Sequence, residues 1–337
     1  MYKLLDGNYN LSLQLNTERG SLRRKPMPFR HIKEPFNHLR WNFTKLQPNE
    51  ILFYLKCNDI PYTDDPVDTH IIAINASPLE KDHILIIPSI SRCLPQVLTD
   101  VTTRIATDLM LLVEDEKFHI LFNSLLGYAS VNHLHLHGVF WPYDSDLINR
   151  KFQRLWEEVY FIRRPNWFID ILAFQLKHQH DFEGFIRNFT NCVNFLNALN
   201  MAHNIFFTRA PPICSDNNVL NEENIPLIVT AYLIPRKSVA GAKPPLNFNP
   251  AALELVGCLT SSTFHFFDTI TEHNAVRIVE EDSVLEEKFV DKLLKEIESR
   301  LKCEKSWNSG LNDIVDDNIE RNMLTSHELE ELNDSFQ

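Results

Sequence analysis

Ser130-Val131-Asn132-His133-Leu134-His135-Leu136-His137-Gly138 sets three histidines in strict alternation with two leucines. In a β-strand successive side chains point to opposite faces. This spacing therefore puts all three imidazoles on one side and turns Leu134 and Leu136 toward a core. Imidazole is a competent nucleophile near neutral pH and a common metal ligand. Three readings are open: a polar face of satisfied histidines, a zinc site, or a nucleophilic histidine with two helpers. The zinc reading lacks a further ligand at a recognisable spacing. The nucleophile reading leads, because the small-residue stretch Gly127-Tyr128-Ala129-Ser130 runs straight into the motif. Asn123, Gly127 and Ser130 lie at the right distance upstream to cradle phosphoryl oxygens, in part through backbone N–H groups.

Outward from the motif, Phe118 to Phe122 reads as a strand, preceded by a helix with Val97, Val101, Ile105, Leu109 and Leu112 at three-to-four spacing. Before it, His70-Ile71-Ile72-Ala73-Ile74 and His83-Ile84-Leu85-Ile86-Ile87 read as an antiparallel hairpin. Downstream, Phe182, Phe185, Ile186, Phe189, Val193 and Leu196 mark an amphipathic helix, followed by strands at 204–208 and 225–235. Helix, strand, loop, strand thus occurs twice. Where the first copy carries histidines, the second carries Ala231-Tyr232-Leu233-Ile234.

Composition sets the outer bounds. The chain has 337 residues, 44% of them hydrophobic and 23% charged, as in an ordinary globular protein. A net charge of −12 argues against a nucleic-acid binder that works by neutralising phosphates. Six scattered cysteines (Cys57, Cys93, Cys192, Cys214, Cys258, Cys303) form no CxxC, which points to reduced thiols in the cytoplasm. No apolar run is long enough to span a bilayer, so no membrane partner is expected. The first 48 residues are basic and irregular, with Arg19, Arg23, Arg24, Lys25 and Arg30 close together. They read as a solvated arm or as an arm folded over an anionic ligand. From about Glu280 the chain turns acidic, with helical potential over 284–301.

The motif His133-Leu134-His135-Leu136-His137-Gly138-Val139 resembles the signature of the histidine triad superfamily. Further segments narrow the resemblance to its GDP-hexose phosphorylase family. They are Gln14-Leu15-Asn16-Thr17-Glu18-Arg19-Gly20 with Arg23-Arg24-Lys25-Pro26, then Trp41-Asn42-Phe43-Thr44-Lys45 and Phe122-Asn123-Ser124. In the second half the match continues through 202–209 and Arg236-Lys237-Ser238.

The resemblance implies an α+β fold of two fused histidine-triad-like modules, each an antiparallel sheet with a packed helix, the second degenerate. The match covers roughly residues 12 to 280. The divisions would be a basic N-terminal arm packed on the core (1–48), a catalytic module (49–150), a second module (151–280) and, outside the resemblance, an acidic tail, partly helical or disordered (281–337). It implies GDP-D-glucose and inorganic phosphate as substrates, with no cofactor and no metal, and leaves a homodimer open.

In the family pattern the middle histidine, here His135, attacks the α-phosphorus. His133 orients it, and Asn123 and Ser130 hold phosphate oxygens. Arg236 and Lys237 either neutralise substrate phosphate or are solvated charges at a strand end. One departure stands out. The related uridylyltransferases and the plant members carry glutamine at the third motif position, and this chain has His137, as the hydrolase branch does. A nucleotide hydrolase releasing GMP and a non-catalytic GDP-sugar-binding protein are the alternatives.

Overall fold

The computed structural model describes residues 1–22, 28–55, 69–143, 145–213, 226–239 and 248–309. Arg23, Arg24 and Lys25 of the basic arm, Cys57, Cys214 and the acidic stretch from residue 310 onward lie outside them. The chain begins with β1 (Tyr2–Leu4), β2 (Ser12–Leu15) and the short α1 (Thr17–Leu22). A first repeat follows: β3 (Ile51–Leu55), β4 (His70–Ile74), β5 (Ile84–Ile87), α2 (Asp100–Leu112), β6 (Phe118–Asn123) and β7 (Leu136–Phe140). The second repeat has the same order: β8 (Gln153–Trp156), β9 (Val159–Ile162), β10 (Ile171–Leu176), α3 (Phe182–Ala198), β11 (His203–Ala210) and β12 (Ile228–Pro235). The described residues end with α4 (Ala252–Leu255), β13 (Cys258–Ser261), α5 (Phe264–Thr269), α6 (Glu272–Ser283) and α7 (Glu287–Ser309).

The two repeats share one ten-stranded sheet, ordered β3-β4-β5-β7-β6-β11-β12-β10-β9-β8, with every adjacent pair antiparallel. Reading outward from its centre, the order 6-7-5-4-3 on one side matches 11-12-10-9-8 on the other. This pseudo-symmetric arrangement is what an internal duplication produces. The seam is the β6–β11 pairing, where Asn123 stands opposite Asn204.

The echo of the first half in the second is therefore longer than the sequence pattern suggests. All six residues of β10 are buried, so its Ile171-Leu172-Ala173-Phe174-Gln175-Leu176 run carries no alternation. The N-terminal arm also differs from its expected irregularity. β2 pairs antiparallel with β1 and parallel with β13, placing Ser12 opposite Cys258. So distant a pairing leaves no local signal.

Residue 97 falls outside its expected helix. Pro95 precedes it, and α2 starts only after Thr99, whose side chain accepts from the backbone N–H of Thr102. Such a cap contributes about 1 kcal/mol.

Helices α2, α3 and α7 cover one face of the sheet with Ile105, Met110, Phe189, Val193 and Ile297. Over the second repeat, α4, β13, α5 and α6 cover the opposite face through Leu253, Val256, Phe266 and Val279. Over the first repeat, Phe43 and its neighbours pack on Ile71, Leu85 and Ile87 of that opposite face, while Leu121 and Val139 join the cluster of the second repeat. The histidines lie on this side. No described helix is long and apolar enough to cross a membrane.

Candidate active site

β7 starts at Leu136, so only His137 lies on a regular strand; His133 and His135 sit in the bent approach to it. The alternation of sides nonetheless holds. Leu134 and Leu136 enter the helix-side core, while His133 and His135 face Phe43 on the other side, at ring separations of 5.6 and 4.8 Å. The rings of His135 and His137 lie 5.0 Å apart.

Each imidazole is held differently. His133 is fully buried under Phe36 and Phe43, and its Nδ1 accepts the backbone N–H of Phe43 at 3.1 Å. His135 Nδ1 lies 2.8 Å from the His133 carbonyl and 2.9 Å from Gln96 Oε1. With two acceptors before it, Nδ1 carries the proton and Nε2 keeps its lone pair. His137 Nδ1 lies 3.0 Å from Nε2 of His83. Leu79 donates its N–H to His83 Nδ1 at 2.8 Å, and the NH2 of Asn75, whose Oδ1 accepts the Ser77 N–H, lies 3.0 Å from the same His83 Nε2 that faces His137.

Burial keeps the rings of His133, His135 and His83 neutral. It lowers His135 and His133 to about 4, with the carbonyl of His133 opposing the shift at His135 and the neighbouring His135 adding to it at His133. His83 lies well below the usual histidine range through burial, with smaller contributions from Arg19 and His135. His203, also lowered to about 4 by burial, stacks on Phe122 beside the seam.

These shifts carry a pH dependence. The unfolded chain protonates its histidines near 6.5, while the fold resists protonation of His133, His135 and His203 until about 4. Stability is complete above pH 6.5 and falls as pH drops toward 4, by about 1.4 kcal/mol per pH unit for each histidine. Urea denaturation at pH 7.5 and pH 5 checks this, with a lower midpoint expected at pH 5; equal midpoints would contradict it.

The expected cradle residues divide. Asn123 ends β6 and is half-buried, its Oδ1 accepting from Asn204 Nδ2 at 2.6 Å and from the Ala252 N–H at 3.0 Å. Its amide NH2 is the group left to face a ligand. Gly127 departs from expectation as a phosphate donor. Its N–H goes to the Ser124 carbonyl at 3.0 Å, and its carbonyl accepts from Asn204 Nδ2 at 2.7 Å.

Glycine is needed at 127 for space. A Cβ would lie 2.8 Å from Ser124 Oγ and 3.0 Å from the His203 carbonyl. Its neighbours Leu126 (φ 59°) and Tyr128 (φ 76°) are both left-handed, a strained turn for bulky residues. Ser130 is half-buried in the segment that leads to His133.

Arg236 matches neither expectation, phosphate neutraliser or solvated charge. It is fully buried, donating to Asn204 Oδ1 at 3.3 Å and to the carbonyls of Pro250, Lys237 and Asp282. Lys237 is exposed, with its N–H bonded to the Ser283 carbonyl.

Sequence reasoning missed His83, Gln96, Asn132 and the role of Asn204. His83 opens the β5 run, and only the β5–β7 pairing, which puts Leu85 opposite His137, brings it to the triad. Gln96 lies in a loop without periodicity. Arg19 reaches the same end of the site, donating to the Ser77 carbonyl at 2.5 Å. Among the described residues no three His, Cys, Asp or Glu side chains converge as a metal-binding group.

Two family models cover most of the chain: GDPGP1-like, N-terminal domain, over residues 1–139, and GDPGP1-like, C-terminal domain, over residues 151–302. The chain belongs to the GDPGP1-like family. It is 52% identical over 342 residues to GDP-D-glucose phosphorylase 1 of Caenorhabditis elegans, covering all of this chain and 70% of that relative. The human protein of that name is 33% identical over 83% of this chain and 72% of its own length. GDP-L-galactose phosphorylase 1 of Arabidopsis thaliana is 24% identical over 85% of this chain and 65% of its own. Among solved structures, yeast Ap4A phosphorylase Apa2 in complex with Ap4A has the same fold, at a TM-score of 0.54 and 13% identity over 83% of this chain and 88% of that one. The fold is thus α+β, with two repeats of the same element order fused in one antiparallel sheet.

Proposed function

We propose that this protein catalyses phosphorolysis of GDP-D-glucose to GDP and α-D-glucose 1-phosphate through a guanylylated His135. The observation that carries the reading is the state of His135: a buried neutral ring, proton fixed on Nδ1, lone pair on Nε2. The names of the worm and human relatives supply the substrate, and the Arabidopsis relative's name supports the same reaction on a related GDP-hexose.

In the first step Nε2 attacks the α-phosphorus. The bond from that phosphorus to the bridging oxygen breaks, and glucose 1-phosphate leaves with the electron pair. In the second, an oxygen of inorganic phosphate attacks the same phosphorus, the P–N bond breaks, and GDP forms. A phosphate monoester is a stable leaving anion, so positioning and charge stabilisation supply most of the rate. His133 orients His135 through its carbonyl. His137 donates an N–H to a phosphoryl oxygen. The Asn123 amide and Ser130 hold non-bridging oxygens, and exposed Lys237 is the remaining candidate for substrate phosphate. The scattered cysteines support the cytoplasm as the compartment.

His137 favours a second reading, hydrolysis to GMP, because a histidine there can donate a proton to a poorer leaving group. Product analysis with GDP-glucose, with and without inorganic phosphate, separates the two. GDP and glucose 1-phosphate formed only with phosphate is the expected result. GMP formed at the same rate whether phosphate is present or absent would replace phosphorolysis by hydrolysis.

A further inference from the structure

Gln96 is 1% exposed in the loop between β5 and α2, and every polar atom of its side chain is engaged. Its Nε2 lies 3.0 Å from the carbonyl of His135 and 3.0 Å from that of Asn123. Its Oε1 lies 2.9 Å from the backbone N–H of His135 and 2.9 Å from His135 Nδ1. This pattern fixes the amide unambiguously, since only the NH2 group can face two carbonyls. The oxygen must then face Nδ1, so Nδ1 must be the donor.

We propose that Gln96 is the positioning residue that sets the tautomer and ring orientation of His135. It touches no reacting atom and acts through the histidine. The His133 carbonyl offers Nδ1 an acceptor on the same side of the ring, but a carbonyl one link away along a bent chain moves with that chain. Gln96 is anchored separately. Its own N–H donates to Asn132 Oδ1 at 2.9 Å, and Asn132 Nδ2 donates to the carbonyls of Glu34 at 2.8 Å and Pro35 at 3.0 Å. One amide therefore ties the ring of His135 to the end of β6, where Asn123 sits, and to the 34–43 segment whose Phe36 and Phe43 close over the histidines. A shift of that covering segment reaches His135 through two hydrogen-bonded residues, Asn132 and Gln96. Second-layer partners of this kind typically change a site's performance about 10- to 100-fold.

The activity part of the test rests on the functional reading above; the spectroscopic part does not. The full chain, with 15N-labelled histidine, is compared as wild type, Gln96→Ala and Gln96→Glu, the His135 signals being assigned by their loss in His135→Ala. Wild type is expected to show His135 protonated on Nδ1 alone. Gln96→Ala is expected to mix the two tautomers and to lower kcat for GDP-glucose about 10- to 100-fold at little-changed KM. Gln96→Glu puts a carboxylate beside Nδ1, raises the His135 pKa and moves the acid limb of the pH–rate profile upward. Folded variants with the wild-type tautomer and kcat within about twofold of wild type overturn the proposal. Failure of both variants to fold overturns it too, in favour of a purely structural glutamine. A wild-type protein inactive toward GDP-glucose would remove the functional reading and leave the tautomer measurement to decide Gln96.

Discussion

His135→Ala is expected to lower phosphorolysis of GDP-glucose by about 10,000-fold or more and to abolish covalent labelling of the protein. The size follows from what is removed. The nucleophile divides one displacement into two, and without it phosphate would have to attack the α-phosphorus directly in a site shaped to hold an imidazole there. The backbone survives the change, because Gln96 Oε1 still accepts the N–H of residue 135 and Gln96 Nε2 still donates to its carbonyl. The loss is therefore chemical, and a matching circular dichroism spectrum separates it from unfolding. GDP-glucose labelled in its α-phosphate is the reagent of choice. Wild type should retain label in an acid-labile, base-stable form, as a phosphoramidate does, and the variant should retain none. Labelling of the variant at the wild-type level would move the nucleophile elsewhere.

The legibility of this site in the sequence follows the range of the interactions. His133, His135 and His137 are legible because a spacing of two is a local rule, and the side preference survives even though regular strand begins only at Leu136. The two helices α2 and α3 are legible for the same reason: each presents one apolar stripe to one core. What organises the histidines is not local. His83 meets His137 only because β5 pairs with β7. Gln96 meets His135 across 39 residues, and Asn204 meets Asn123 across 81, at the seam of two repeats. In the second repeat β10 has no period to read, because all six of its residues are buried. Gly127 was legible as a small residue but not for its reason, which is the approach of Ser124 and His203.

Arg236→Met should be the most damaging substitution outside the histidines, and through stability. A buried guanidinium is an expensive group, and burial lowers the pKa of this one to about 10. It persists because every side of it is answered: Asn204 Oδ1, the carbonyls of Pro250, Lys237 and Asp282, and the ring of Tyr128 lying 4.9 Å from its Cζ. Methionine fills similar space but donates nothing, so four acceptors, two of them in fully buried hydrogen bonds, lose this donor, at a cost of about 3–5 kcal/mol. Asn204 would lose the anchor on its oxygen while its NH2 still holds Asn123 Oδ1 and the Gly127 carbonyl, so the strained 126–128 turn would loosen as well. The expected result is a clear drop in the urea midpoint, with KM for phosphate little changed in the fraction that remains folded. A direct contact with substrate phosphate would reverse this pattern, raising KM steeply at unchanged stability. The two outcomes share no feature, so one denaturation curve and one phosphate titration decide between an arginine that holds the seam and one that holds the substrate.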